Sequence, residues 1–144
     1  MNATIETIRT DIFQTSYVRP RGAVYTGRIL SGIAVLFLAL DTIVKLLAIP
    51  AAVEGTMKVG FTAGLLFPLA VIELVCLAAY LIPRIAPLGA ILWTGYLGGA
   101  IATHLRLGDP LLTHTLFPIY VAAFLWAGLW LRDRRLGALF ARVS

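Results

Sequence analysis

Long apolar runs alternate with short polar stretches along the chain, and four of the runs reach or approach the length needed to cross a bilayer. The first, "TGRILSGIAVLFLALDTIVKLLAI" (Thr26 to Ile49), is long enough for a tilted span at about 1.5 Å per residue across a hydrocarbon core about 30 Å thick. The second, "FTAGLLFPLAVIELVCLAAYLI" (Phe61 to Ile82), carries Pro68 in its first turns, where a missing N–H costs least, and stops at Pro83 and Arg84. The third, about 88–105, starts after Pro87 and ends at His104 and Arg106; the fourth, about 116–131, closes against "RDRR". This pattern predicts an all-α polytopic membrane protein whose four-transmembrane-helix bundle occupies residues 26–131. Ahead of it, Ile5, Ile8, Ile12 and Phe13 follow helical spacing with Glu6, Arg9 and Asp11 elsewhere around the turn, so residues 1–25 read as a short amphipathic segment. A helix lying on the cytoplasmic face and a frayed terminus are both open for it. Residues 132–144 form a basic tail.

Composition strengthens the membrane reading: 60% of the 144 residues are hydrophobic and 13% charged, and the mean hydropathy is +0.90. A soluble domain of this composition would lack the polar surface to cover itself. The net charge of +5 raises the question of nucleic acid, but no basic stripe with interleaved aromatics exists, and nucleic acid is not an expected partner. The positive charges fit membrane orientation instead. Arg9, Arg19, Arg21, Arg28, Arg84, Arg132, Arg134, Arg135 and Arg142 fall on one side of the spans, and Lys58 and Arg106 on the other. The positive-inside rule then puts both termini in the cytoplasm, as an even number of spans requires. A cleavable signal peptide is the rival for the first run, but 25 residues precede that run and Asp41 and Lys45 interrupt it. The single cysteine, Cys76, rules out an intrachain disulfide or a dithiol mechanism.

Helix packing in lipid needs small residues where backbones approach. The third span offers Gly95, Gly98 and Gly99 within "GYLGG", read as a packing face within the bundle or as a homodimer face. Short internal matches also occur. "LLFP" (65–68) and "TLFP" (115–118) open the second and fourth spans, while "GRIL" (27–30) and "GAIL" (89–92) lie in the first and third. They hint at a duplicated helical hairpin with both copies running in the same direction.

A charge at the bilayer centre costs about 2.5–3.5 kcal/mol on insertion scales, so ionisable residues in spans usually face the bundle and find partners. Asp41 and Lys45 stand one turn apart on one helix face. By helical rise Glu73 lies at similar depth in the outer half, and His104 and Arg106 end the third span above that level. Asp41, Lys45, Glu73, His104 and Arg106 are therefore the candidate site, either a buried network fixing helix register or the lining of an outward pocket. Trp93, Tyr96, Phe117 and Tyr120 would supply its apolar wall. No catalytic set is legible: nothing orders a Ser/His/Asp triad, and no Glu-x-x-His pair or facing histidines argue for metal or haem. "GDP" at 108–110 is a turn signal, and His114 suits the start of the fourth helix.

Three segments, "GRILSGIAVLFLALDTIVKLL", "YLIPRIAPLGAILWTGYLGGAIATHLRLGDPLLTHTLFPIY" and "LWLRDRRLGAL", make the chain resemble the DoxX-like family of small four-span bacterial membrane proteins over most of residues 26–139. Asp41, Lys45, Thr103, His104, Arg106 and Asp109 match the family's recurrent polar positions. The resemblance implies a four-helix membrane bundle in the bacterial inner membrane. It also implies a setting in redox or stress physiology, since the wider group is connected with thiosulfate oxidation, quinone reduction and membrane oxidoreductase complexes. The lone cysteine departs from thiol-based membrane oxidoreductases of similar size. The expectation is an accessory component that binds a small lipophilic, quinone-like molecule, with other membrane or redox proteins as partners besides the lipid bilayer. If it is part of an enzyme, it is a subunit of a quinone-linked oxidoreductase. A small proton or solute transporter using Asp41 and Glu73, and a non-catalytic assembly scaffold, are the alternatives.

Overall fold

The computed structural model describes residues 20–133 and 136, and every regular element among them is helical. Helix α1 (Arg21–Leu46) is followed by a short helix α2 (Pro50–Lys58), a 3-10 turn (Ala63–Leu65), α3 (Leu66–Leu81), α4 (Ala86–Leu107), a single π turn (Leu111–Thr115) and α5 (Phe117–Arg132). Proline sets several of these starts: Pro20 precedes α1, and Pro50, Pro87 and Pro118 stand in the first turns of α2, α4 and α5, where a backbone N–H has no intrahelical partner. Ala48, at φ 47°, breaks the path between α1 and α2.

The four long helices form a ring in chain order. α1 packs on α3 and α5, α4 packs on the same two, and the diagonal pairs meet through side chains instead of through close backbones. This is the up-down-up-down arrangement short connections favour. Its core holds Leu38, Tyr80, Trp93, Leu125 and Leu129, all essentially buried, whereas Leu36, Phe67 and Leu112 are 64%, 63% and 70% exposed. Large apolar side chains around the outside suit a lipid environment, where burial is no drive for association. Three of the helical segments are long and apolar enough to cross a membrane: Arg21–Leu46, Ala63–Leu81 and Leu111–Arg132. The expected fourth, within α4, has 22 residues but falls outside that group because glycine, threonine, tyrosine and histidine dilute it.

The expected boundaries also shift. Residues 21–25, assigned above to the amino-terminal segment, belong to α1, and Arg132 belongs to α5. Ile5, Ile8, Ile12 and Phe13 lie outside the described residues, as does the tail apart from Arg132, Asp133 and Leu136. The polar stretch after the first span is α2, a nine-residue helix.

Close helix contacts occur away from "GYLGG". A Cβ added to Gly27 would lie 2.7 Å from Leu131 Cβ and 2.9 Å from Arg132 N; one on Gly128 would lie 2.4 Å from Ser31 Oγ. On Gly89 it would meet the Tyr80 backbone N at 2.3 Å. Gly95, Gly98 and Gly99 have no such neighbour within 4 Å, so the expected packing role passes to Gly27, Gly89 and Gly128. Tyr80 joins three helices: its hydroxyl donates to Leu125 O at 2.8 Å and so accepts from Ser31 Oγ at 3.0 Å.

Candidate functional site

One turn of α1 places Asp41 and Lys45 on the same face, and that face meets α3 at Glu73 and α4 at Tyr96. Lys45 Nζ donates to Asp41 Oδ2 at 2.6 Å, to Glu73 Oε1, and to Tyr96 Oη at 3.3 Å. The Tyr96 hydroxyl in turn donates to the same Glu73 oxygen. One ammonium thus ties together two carboxylates and a phenol from three helices. Exposure is graded across the group: the Glu73 side chain is fully buried, Lys45 is 16% exposed and Asp41 37%. Glu73 Oε2 is buried without a hydrogen-bond partner among the described residues.

Above this cluster lies a cavity of about 760 Å³. Asp41, Lys45 and Tyr96 form its polar floor; Val44, Leu69, Gly95, Gly99 and Ala100 are among its walls. Glycine at 95 and 99 keeps that wall of α4 at backbone level, so these residues open space instead of closing a helix contact. Helix α2 contributes Ala51, Ala52, Gly55 and Thr56, the residue after it contributes Val59, and together they flank the space as a lid. Neither this lid nor Tyr96's part in the polar network is among the sequence expectations. The signals for the lid were present, with proline opening and Lys58 closing "PAAVEGTMK".

The remaining expected residues divide. His104 lines the cavity with Thr103, and its Nδ1 is bonded to Asp109 Oδ2 at 2.6 Å, not to Asp41 or Glu73. Asp109 follows Gly108, whose φ of 72° and bond to Leu105 O end α4, so the "GDP" turn also supplies the histidine's partner. His114 lies outside the cavity lining, its ring centroid 6.1 Å from that of His104. Arg106 is not part of the network. It points to the end of the lid helix, where Nη2 donates to Val59 O at 3.0 Å, and Gly60 leaves room for the guanidinium. Of the expected aromatic wall only Tyr96 lines the cavity. Trp93 is buried in the core beside Tyr96, with ring centroids 5.6 Å apart. Phe117 and Tyr120 face outward, Phe117 against Phe37. No group of three His, Cys, Asp or Glu side chains that could hold a metal ion occurs among the described residues.

The family model of DoxX-like proteins matches residues 29–128, from the third turn of α1 to the last turns of α5. The chain belongs to the DoxX-like family. That stretch of the DoxX-like chain contains the whole cavity lining and the Asp41, Lys45, Glu73 and Tyr96 cluster. No curated protein and no solved structure matches it.

Proposed function

We propose that this DoxX-like protein is a multi-pass protein of a bacterial inner membrane that binds a small lipophilic, carbonyl-bearing molecule of quinone type in the cavity under α2. All four long helices then cross the bilayer with both termini cytoplasmic. Arg21, Arg28, Arg84 and Arg132 stand at the opposite end from Lys58 and Arg106, which supports that orientation. The observation that carries the binding reading is the cavity itself: about 760 Å³, walled by small and apolar residues, with Lys45 and Tyr96 on its floor. That volume lies in the range of small-molecule sites, and few polar groups in an apolar wall is their usual make-up. A ligand carbonyl accepts from Lys45 Nζ in place of Tyr96 Oη, whose 3.3 Å bond is the longest of the three the ammonium makes. Asp41 and Glu73 hold the ammonium in place, and His104 stands at the rim.

Translocation through Asp41 and Glu73 has less support. The next polar pair below, Tyr80 with Ser31, is about 10 Å further along α3, and Cys76 and Leu77 are buried in between. Binding of a short-tailed ubiquinone analogue to the purified protein tests the proposal, read as quenching of tryptophan fluorescence. Lys45→Gln combined with Tyr96→Phe is expected to weaken binding at least about tenfold, the usual scale for hydrogen bonds to a charged group. Unchanged affinity in that variant would overturn it.

A further inference from the structure

At the end of the bundle away from the cavity, three arginines from three separate places in the chain share one cleft of about 370 Å³. Arg28 comes from α1, Arg84 from the connection between α3 and α4, and Arg132 from the end of α5; Pro83, Ala86, Leu129 and Asp133 complete the lining. Arg28 is about 20 Å along α1 from Asp41, so this cleft is separate from the candidate site. Asp133 is the one acidic residue in that lining. Arg132 is held in place, its Nη2 donating to Tyr80 O at 3.4 Å and its guanidinium 4.8 Å over the Tyr80 ring. Among the described residues neither Arg28 nor Arg84 makes an ion pair.

A second feature points the same way. Helix α4 begins at Ala86, in the cleft lining, and no side chain caps its amino terminus. The positive end of a 22-residue helix therefore lies at the arginine-lined cleft, although Pro87 leaves its first turn one N–H short, and this placement favours an anion with several acceptor oxygens. Exposed Ile29, Ile82, Ile85 and Leu88 flank these residues along the chain, so the anion's surroundings are apolar on the outer side.

We infer that this cleft binds the phosphate of an anionic phospholipid headgroup, with the acyl chains lying against the flanking apolar residues. Basic pockets between membrane helices are suited to such headgroups. The test titrates the full-length protein in neutral detergent with short-chain phosphatidylglycerol, phosphatidylcholine of the same chain length, and inorganic phosphate, following thermal stabilisation. Phosphatidylglycerol is expected to bind in preference to phosphatidylcholine. Its affinity is expected to fall about tenfold or more in Arg28→Gln/Arg84→Gln, but by less than about twofold in Arg21→Gln, which alters an exposed arginine outside the cleft. Both positions of the double variant are exposed, and its unfolding midpoint without lipid checks that it is folded. Equal affinity for the two lipids, or an equal loss in Arg21→Gln, would overturn the site. Stabilisation by inorganic phosphate alone, with no preference for phosphatidylglycerol, would overturn the lipid assignment.

Discussion

Substituting alanine for single glycines of α4 separates helix packing from cavity lining. At Gly89 the new methyl would lie 2.3 Å from Tyr80 N, 2.5 Å from Tyr80 Cα and 2.7 Å from Ala79 C, all backbone atoms of α3. Ordinary contact begins near 3.4 Å, so α3 and α4 have to part by about 1 Å at this point. No flexible side chain is available to absorb the displacement. The shift also pulls on Tyr80, whose hydroxyl links α3 to Ser31 of α1 and to the Leu125 carbonyl of α5. Overpacking of this kind costs about 1–3 kcal/mol, and rigid backbone neighbours put Gly89→Ala at the upper end. The better helix propensity of alanine returns about 1 kcal/mol, leaving a net loss of about 2 kcal/mol. At Gly99 nothing lies within 4 Å, so only the propensity acts and Gly99→Ala is stabilising by up to about 1 kcal/mol. The two variants are therefore expected to differ by about 3 kcal/mol in reversible unfolding by sodium dodecyl sulfate in mixed micelles. A loss in Gly99→Ala as large as that in Gly89→Ala would return "GYLGG" to helix packing and refute the assignment of Gly99 to the cavity wall.

Lys45→Met leaves the fully buried Glu73 and the part-buried Asp41 without their cation, and breaking a buried pair in this way costs about 3–5 kcal/mol. Removing all three charges, with Asp41→Asn and Glu73→Gln added, is expected to recover most of that loss in the same unfolding assay; wild-type stability in Lys45→Met alone would contradict the network. Arg106→Ala removes an exposed bond to Val59 O and is expected to change global stability by less than about 1 kcal/mol. Amide hydrogen exchange over residues 50–58 should nevertheless rise, since the end of α2 loses its clamp, and unchanged exchange would show that other contacts hold the lid.

Hydropathy and charge made the long helices legible, and helical rise alone put Asp41, Lys45 and Glu73 at one depth. Which residues face one another across the bundle was harder to read. Tyr96 looked like wall material because its ring is apolar, and only the rotation of α4 shows its hydroxyl on Glu73. Arg106 and His104 are two residues apart on a helix and so point in different directions, one to the lid and one to the cavity. Three glycines at GxxxG-like spacing signal closeness only if a neighbour is there; at Gly95 and Gly99 the neighbour is the cavity. The same dilution of α4 by small and polar residues that keeps it out of the group of clearly apolar helices supplies one wall of that cavity.

The internal sequence matches acquire a meaning from the ring. Gly27 of "GRIL" takes α1 close to α5, and Gly89 of "GAIL" takes α4 close to α3, so each opens a hairpin by packing on the second helix of the other hairpin. "LLFP" and "TLFP" likewise both sit where a 3-10 or π turn passes into an α-helix. Carrying these registers along the helices sets Asp41 against Thr103, Lys45 against Leu107 and Glu73 against Ala123. The second hairpin packs into the same ring with no charge at these positions. In that half the helices pack without a charged cluster at the corresponding positions. Its presence in one half, beneath the cavity, is in keeping with the binding role proposed for that cavity.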